Sequence, residues 1–155
     1  MDLSGLLPRS AVSARLSVNS KRQALTLAGE IAARNAGLPA AVVQTVLMER
    51  EAAGSTGVGD GVALPHGRVA GLSRLHASFI RLDAPIPFGS LDDQPVDLLC
   101  VLLVPAETSG AEHIQALAKL ARVLRQPRLR EQIRKAQSAD AIHALLVQDA
   151  QPSAA

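Results

Sequence analysis

Tryptophan and tyrosine are missing from this 155-residue chain, and Phe79 and Phe88 are its only phenyl rings. Base stacking needs aromatic platforms, and no run of Lys or Arg marks an electrostatic footprint. DNA or RNA binding therefore has no support. Acids and bases nearly balance, 14 against 16, for a formal charge of +2. Cysteine occurs once, Cys100, inside the apolar run Val96–Val104. A lone thiol makes no internal disulfide, which suits a reducing cytoplasm, and its setting predicts a free, buried side chain. No apolar segment approaches the roughly 20 residues that span a bilayer, and Met1–Gly5 lacks the basic and apolar regions of a signal peptide. The chain is expected to be soluble and cytoplasmic, with no membrane insertion.

What is present suits a packed core: 48% hydrophobic and 19% charged residues in a length typical of one domain. We expect a single domain over 1–155, its core at about 3–147 and its tail at 148–155 frayed. Val12–Val18 alternates weakly, as an edge strand does. Ser20-Lys-Arg-Gln23 fits a capping box, and Ala24, Leu27, Ala28 and Ile31 follow at helical spacing. Asn35-Ala-Gly37 is a stop signal and Pro39 a start signal for a second helix striped by Val43, Val46 and Leu47. Short strands are predicted at Val62–Leu64 and Leu75–Leu82, with 83–94 a surface connection. The run Val96–Val104 reads as a central strand covered on both faces. Ser109-Gly-Ala-Glu112 opens a helix carrying Ile114, Leu117, Ala118, Ala121 and Leu124, and Arg128–Ala136 and Ser138–Val147 form two more. Helices interspersed with strands give an α/β class, one mixed sheet between helical layers.

One stretch carries chemistry. Gly54-Ser-Thr-Gly-Val-Gly-Asp-Gly runs through a short apolar segment to His66, held between Pro65 and Gly67. Glycines let backbone N–H groups converge on an anion, and proline fixes the chain ahead of the imidazole. Neutral imidazole attacks phosphorus without repelling a dianion, and phosphoryl transfer is mainly a matter of alignment and charge stabilisation. His66 is then the nucleophile, with loop N–H groups and the Ser55 and Thr56 hydroxyls as donors. Arg50, on the apolar stripe of its helix, either complements the helix end or offers its planar fork to phosphate. His113 stands in the first turn after a capping box, either as a polar residue near a helix end or as an anion partner. His76 and His143 read as structural or solvent-facing. The glycine loop lacks the Gly-Lys-Ser/Thr ending of a nucleotide-binding P-loop, and no Gly-x-Ser-x-Gly elbow occurs. His66 and His113 have no accompanying Cys pair or His-x-x-x-His spacing for zinc, so no metal or cofactor is called for.

Together these motifs resemble the enzyme IIA domain of the bacterial phosphoenolpyruvate-dependent phosphotransferase system, in its fructose/mannitol/nitrogen-regulatory class. The likeness runs through Arg50-Glu51, Gly54-Ser-Thr-Gly57, Ala63-Leu-Pro-His-Gly67, Pro85-Ile-Pro-Phe88, Gln94-Pro-Val-Asp-Leu-Leu99, Leu103-Val-Pro105 and His113, in order over about residues 3–147. The resemblance implies a mixed sheet sandwiched by helices. It implies phosphorylation of His66 by an HPr-type carrier, with His113 and Arg50 around the phosphate and enzyme I and phosphoenolpyruvate upstream. Gly54, Ser55, Thr56, Gly57 and Gly67 would frame the phosphate. Arg68 stands where many relatives carry lysine. The chain looks most like the nitrogen-regulatory type, acting on a regulatory target through its phosphorylation state. A sugar-specific component feeding a separate IIB, or a binding module no longer phosphorylated, are the other readings.

Overall fold

Ten consecutive residues, Val96–Pro105, form the strand around which the molecule is built. Residues 3–150 are described by the computed structural model, with side chains through Gln148. The elements are α1 (Leu3–Leu6), β1 (Val12–Leu16), α2 (Lys21–Ala36), α3 (Ala40–Ala52), β2 (Gly57–Gly59), β3 (Val62–Ala63), β4 (His66–Val69), β5 (His76–Ile86), β6 (Val96–Pro105), α4 (Gly110–Leu124), α5 (Pro127–Lys135) and α6 (Ala139–Ala150). They build one six-stranded sheet in the order β1-β5-β6-β3-β2, with β4 also paired to β6. The sheet is mixed: β5 runs antiparallel to β6, whereas β1–β5, β3–β6 and β4–β6 are parallel.

The pleat of β6 explains its unbroken apolar run. Leu98, Cys100, Leu102 and Val104 face a core shared with α1, α4, α5 and α6. Leu99, Val101 and Leu103 face a second core under α2 and α3. A strand apolar on both faces must be covered on both, and here it is. Cys100 is free and buried, and burial pushes its thiol up to about 12.

The helix signals mostly act where expected. Ser20 Oγ accepts from Gln23 N–H, while the Gln23 side chain reaches back one residue further than a capping box requires, to Asn19 N–H. Gly37 closes α2 in the left-handed region at φ 72°. Pro39 lies one residue outside α3, at the N-cap. Ser109 Oγ caps α4 through Glu112 N–H, a bond whose loss typically costs about 1 kcal/mol.

Several expectations need correcting. The glycine stretch is not an open loop, since Gly57–Gly59 pairs with β3 as a hairpin. Its two turn residues, Asp60 and Gly61, both have positive φ (58° and 81°), as a two-residue hairpin turn demands. Strand β5 continues to Ile86 through a register shift after Arg81, so the connection to β6 begins only at Pro87. On α4 the buried side is Ala116, Leu120, Val123 and Leu124. Ala118 is exposed, and Ile114 is 68% exposed. Leu3–Leu6 adds a short helix that its sequence does not announce. Helix α6 runs on to Ala150, so part of the expected frayed tail is helical, and residues 151–155 lie outside the described residues. Among the described residues no helix is long and apolar enough to cross a membrane.

Candidate functional site

Pro65 divides two short strands that run along the same side of β6. Val62 and Ala63 pair with Leu98 and Leu99, and His66–Val69 pairs with Leu102–Pro105. The Pro65 carbonyl keeps the ladder continuous by accepting from Leu102 N–H at 2.9 Å. His66 is therefore the first residue of β4 rather than a residue beyond a strand, and its ring is half-buried. Gly67 follows because nothing larger fits: a Cβ there would stand 2.2 Å from Val46 Cγ1 on α3. That close approach brings the end of α3 against β4.

The imidazole is fixed in one tautomer. His66 Nδ1 lies 2.7 Å from the Leu64 carbonyl, which only accepts, so Nδ1 carries the proton. Nε2 keeps its lone pair and faces Arg50 Nε at 3.3 Å. Burial holds His66 below the ordinary histidine value; the Leu64 carbonyl and Glu51 oppose that shift, and Arg50 adds to it. The lowered pKa favours the neutral ring at pH 7.

Arg50 ends α3, and its Nη1 donates to the Gly54 carbonyl at 2.8 Å. Its guanidinium thus spans the turn that follows the helix and the imidazole it faces. His113, in the first turn of α4, stands edge-on to His66 with ring centroids 5.5 Å apart. Its Nε2 is sealed from solvent with no hydrogen-bond partner. Burial, then His66 and Arg68, hold its pKa low. Arg68 donates to the Ala106 carbonyl at 3.1 Å and also to that of Thr108, tying β4 to the segment that leads into α4. His76 is half-buried in β5 and His143 Nε2 meets the Leu7 carbonyl, both away from this group.

The glycine loop works differently from the phosphate cradle expected of it. Both Glu51 carboxylate oxygens accept from Thr56 N–H, at 3.1 and 3.0 Å, and Oε1 also takes the Thr56 hydroxyl. Ser55 Oγ donates to the Phe88 carbonyl at 3.1 Å and accepts from Gly57 N–H. Gly57 itself abuts Ser90. The Ser55 hydroxyl, the Thr56 N–H and hydroxyl and the Gly57 N–H are thus engaged within the protein, while the Gly54 carbonyl accepts from Arg50. Lys21 locks the arrangement, its ammonium 2.7 Å from Glu51 Oε2 and 2.9 Å from the Phe88 carbonyl. Glu51 has a lowered pKa although burial opposes this, because Lys21 and Thr56 stabilise the carboxylate. Glu51 and Lys21 were assigned no role from sequence. The signals Glu51 does carry are its pairing with Arg50 in the Arg50-Glu51 motif and its place on a helix face that Val43 and Leu47 set against the core.

Residues 6–149 match the family model described as "Phosphoenolpyruvate-dependent sugar phosphotransferase system, EIIA 2". A nitrogen regulatory protein of Bradyrhizobium diazoefficiens is 43% identical over 146 residues, covering 94% of this chain and 95% of the relative. A fructose-specific EIIA component of Haloferax volcanii is 36% identical over 121 residues, 78% of this chain and 74% of its own. Among solved structures, the nitrogen regulatory protein IIA-Ntr of Neisseria meningitidis superposes with a TM-score of 0.86 at 39% identity, covering 93% of this chain and 98% of that one.

Proposed function

Because the chain belongs to the EIIA 2 family of the phosphoenolpyruvate-dependent sugar phosphotransferase system, we propose that it is a phosphocarrier charged on Nε2 of His66. An HPr-type carrier supplies the group, and the phosphorylation state of His66 governs a regulatory target in nitrogen-type control. The single observation behind this reading is the tautomer: Nδ1 is bound to Leu64, so Nε2 carries the ring's available lone pair, which accepts from Arg50 Nε–H until a phosphoryl group arrives.

The step balances without a proton relay. The Nε2 lone pair forms the new N–P bond while the P–N bond of the donor phosphohistidine breaks, its electron pair returning to the donor ring. The proton stays on Nδ1, donated to the Leu64 carbonyl, which steadies the positive charge the ring acquires. Arg50 turns its fork from nitrogen to phosphoryl oxygens as they arrive. His113 Nε2, unpaired and shielded, then gains a partner, so the cost of leaving it unsatisfied, typically about 1–3 kcal/mol, falls on the free form alone. Transfer to an acceptor is the same step reversed.

The nitrogen-regulatory assignment follows the relatives: the nitrogen regulatory protein aligns over nearly both whole chains, and the fructose-specific component over less of each. The test is incubation with phosphoenolpyruvate, enzyme I and an HPr-type carrier, followed by intact mass. One acid-labile phosphoryl group is expected, absent in His66→Ala. Phosphorylation persisting in that variant, or none in the wild type, overturns the proposal.

A further inference from the structure

Glu51 is buried among groups that do not touch the phosphoryl acceptor, yet it is adjacent in sequence to Arg50 and its contacts lead back to that side chain. We infer that Glu51 is a positioning residue for phosphoryl transfer: held by Lys21, it fixes the turn at Gly54–Thr56 whose Gly54 carbonyl aims Arg50 at His66. The inference rests on the phosphocarrier reading and assigns the aiming of its arginine.

Each link is a contact. The carboxylate takes the Thr56 N–H and hydroxyl, and Lys21 takes Oε2. Gly54 N–H returns to the Glu51 carbonyl at 3.1 Å, so residues 51–56 close on themselves. Lys21 and Ser55 Oγ share the Phe88 carbonyl, pinning that turn to α2 and to the segment before β6. The Gly54 carbonyl then receives Arg50 Nη1, and with that end tethered Nε lies at His66 Nε2. An arginine with four flexible torsions would otherwise sample many directions. The chemistry of the clamp requires a carboxylate. Glutamine has one acceptor oxygen for donors that come from Thr56 and Lys21, and its NH₂ would face an ammonium or another N–H. A buried ion pair adds little net stability compared with apolar side chains, so stability alone does not account for it.

The experiment measures phosphoryl acceptance by rapid quench at varied concentrations of phosphorylated HPr-type carrier, for wild type, Glu51→Gln, Arg50→Met and the double variant. Melting is followed by far-UV circular dichroism. Misaiming by about an ångström is expected to lower kcat of Glu51→Gln between tenfold and a hundredfold with KM unchanged. In the Arg50→Met background the same substitution should change almost nothing, since there is no guanidinium left to aim. Equal losses in both backgrounds, or a wild-type rate for Glu51→Gln, overturn the inference. Should Glu51→Gln not fold, Thr56→Val keeps the Lys21–Glu51 pair, removes one arm of the clamp and must show the same dependence on Arg50. A wild type that accepts no phosphoryl group would instead sink the functional reading. The aiming is then read directly from the Arg50 Nε–H and His66 ring ¹⁵N resonances. These must shift in Glu51→Gln or Thr56→Val, and unchanged resonances refute the positioning role.

Discussion

Arg50→Met separates the two roles open to this arginine. The side chain makes two contacts, Nε to His66 Nε2 at 3.3 Å and Nη1 to the Gly54 carbonyl at 2.8 Å, at the C-terminal end of α3. As a helix-end cation on a half-exposed site it is worth about 0.3–1 kcal/mol, and its bond to Gly54 adds about 1 kcal/mol. A total near 1–2 kcal/mol moves the melting point of a protein this size by only a few degrees, about 2–4 °C per kcal/mol. As a donor to a migrating phosphoryl group it is worth more, roughly 2.7–4 kcal/mol, or a factor of 10²–10³ in rate. Lysine restores the charge but, as a point donor, cannot serve the Gly54 carbonyl and the phosphoryl oxygens together, so Arg50→Lys should remain well below wild type. Single-turnover transfer from phosphorylated HPr-type carrier, quenched in alkali because the N–P bond is acid-labile, gives the rates. Far-UV circular dichroism gives the melting point. Transfer within about threefold of wild type, a difference of under 1 kcal/mol, combined with a lowered melting point would make Arg50 a helix cap and remove it from the site.

The pH profile of acceptance has a defined sign. Protonated Nε2 cannot attack, and burial holds the His66 pKa below 6.5. The rate should therefore be highest at alkaline pH and fall on acidification with a midpoint below 6.5; a midpoint at or above 6.5 refutes the desolvated, neutral nucleophile. The same shift couples to folding. The unfolded chain protonates at the ordinary value and the folded one resists, so stability declines as pH drops from 6.5 toward the folded value. His66→Gln should soften that decline in melting temperature. Gly67→Ala places a Cβ 2.2 Å from Val46 Cγ1 and should cost about 1–3 kcal/mol by overpacking. Val46→Ala should restore most of the loss, and an unshifted melting curve for Gly67→Ala would show that α3 and β4 are not pressed together.

The layers of the fold could be read from residues because local and long-range demands agree there. The run Val96–Val104 has no polar face, so only a doubly covered strand satisfies it, and both cores are found on it. Ser20, Gly37 and Ser109 mark helix ends through backbone chemistry that needs no tertiary context. What was misread depends on partners far along the chain. Ile114 has the spacing of a core residue, but the register of α4 is set by Ala116, Leu120 and Val123, which leaves Ile114 outside. Pro85 suggested a loop, yet it lies beyond the pairing of Arg81 with Leu98 and before that of Ile86 with Val96, in the stretch where β5 shifts register and proline displaces no ladder bond. The Asp60-Gly61 dipeptide is a strong hairpin signal, masked by neighbouring glycines that also suit an anion loop.

The same tension explains the site. Arg50 and His113 are polar residues on otherwise apolar helix stripes, His66 ends a glycine-rich stretch between Pro65 and Gly67, and tertiary structure brings all three together. Several of the expected donors have other partners, because a glycine-rich sequence says where backbone N–H groups can turn, not what they meet. Here Thr56 N–H meets Glu51, which lies on the preceding helix only five residues earlier, and that carboxylate is held in turn by Lys21 from another helix. The glycine loop therefore acts at one remove. With the Thr56 and Gly57 amides engaged by Glu51 and Ser55, the Gly54 carbonyl steers a cation. A side chain can reorient toward an arriving dianion and swing back after it leaves, whereas a rigid nest of amides would bind phosphate tightly in both forms of the protein. A carrier must release what it accepts, and a mobile guanidinium beside a neutral imidazole suits that requirement better than a fixed cradle.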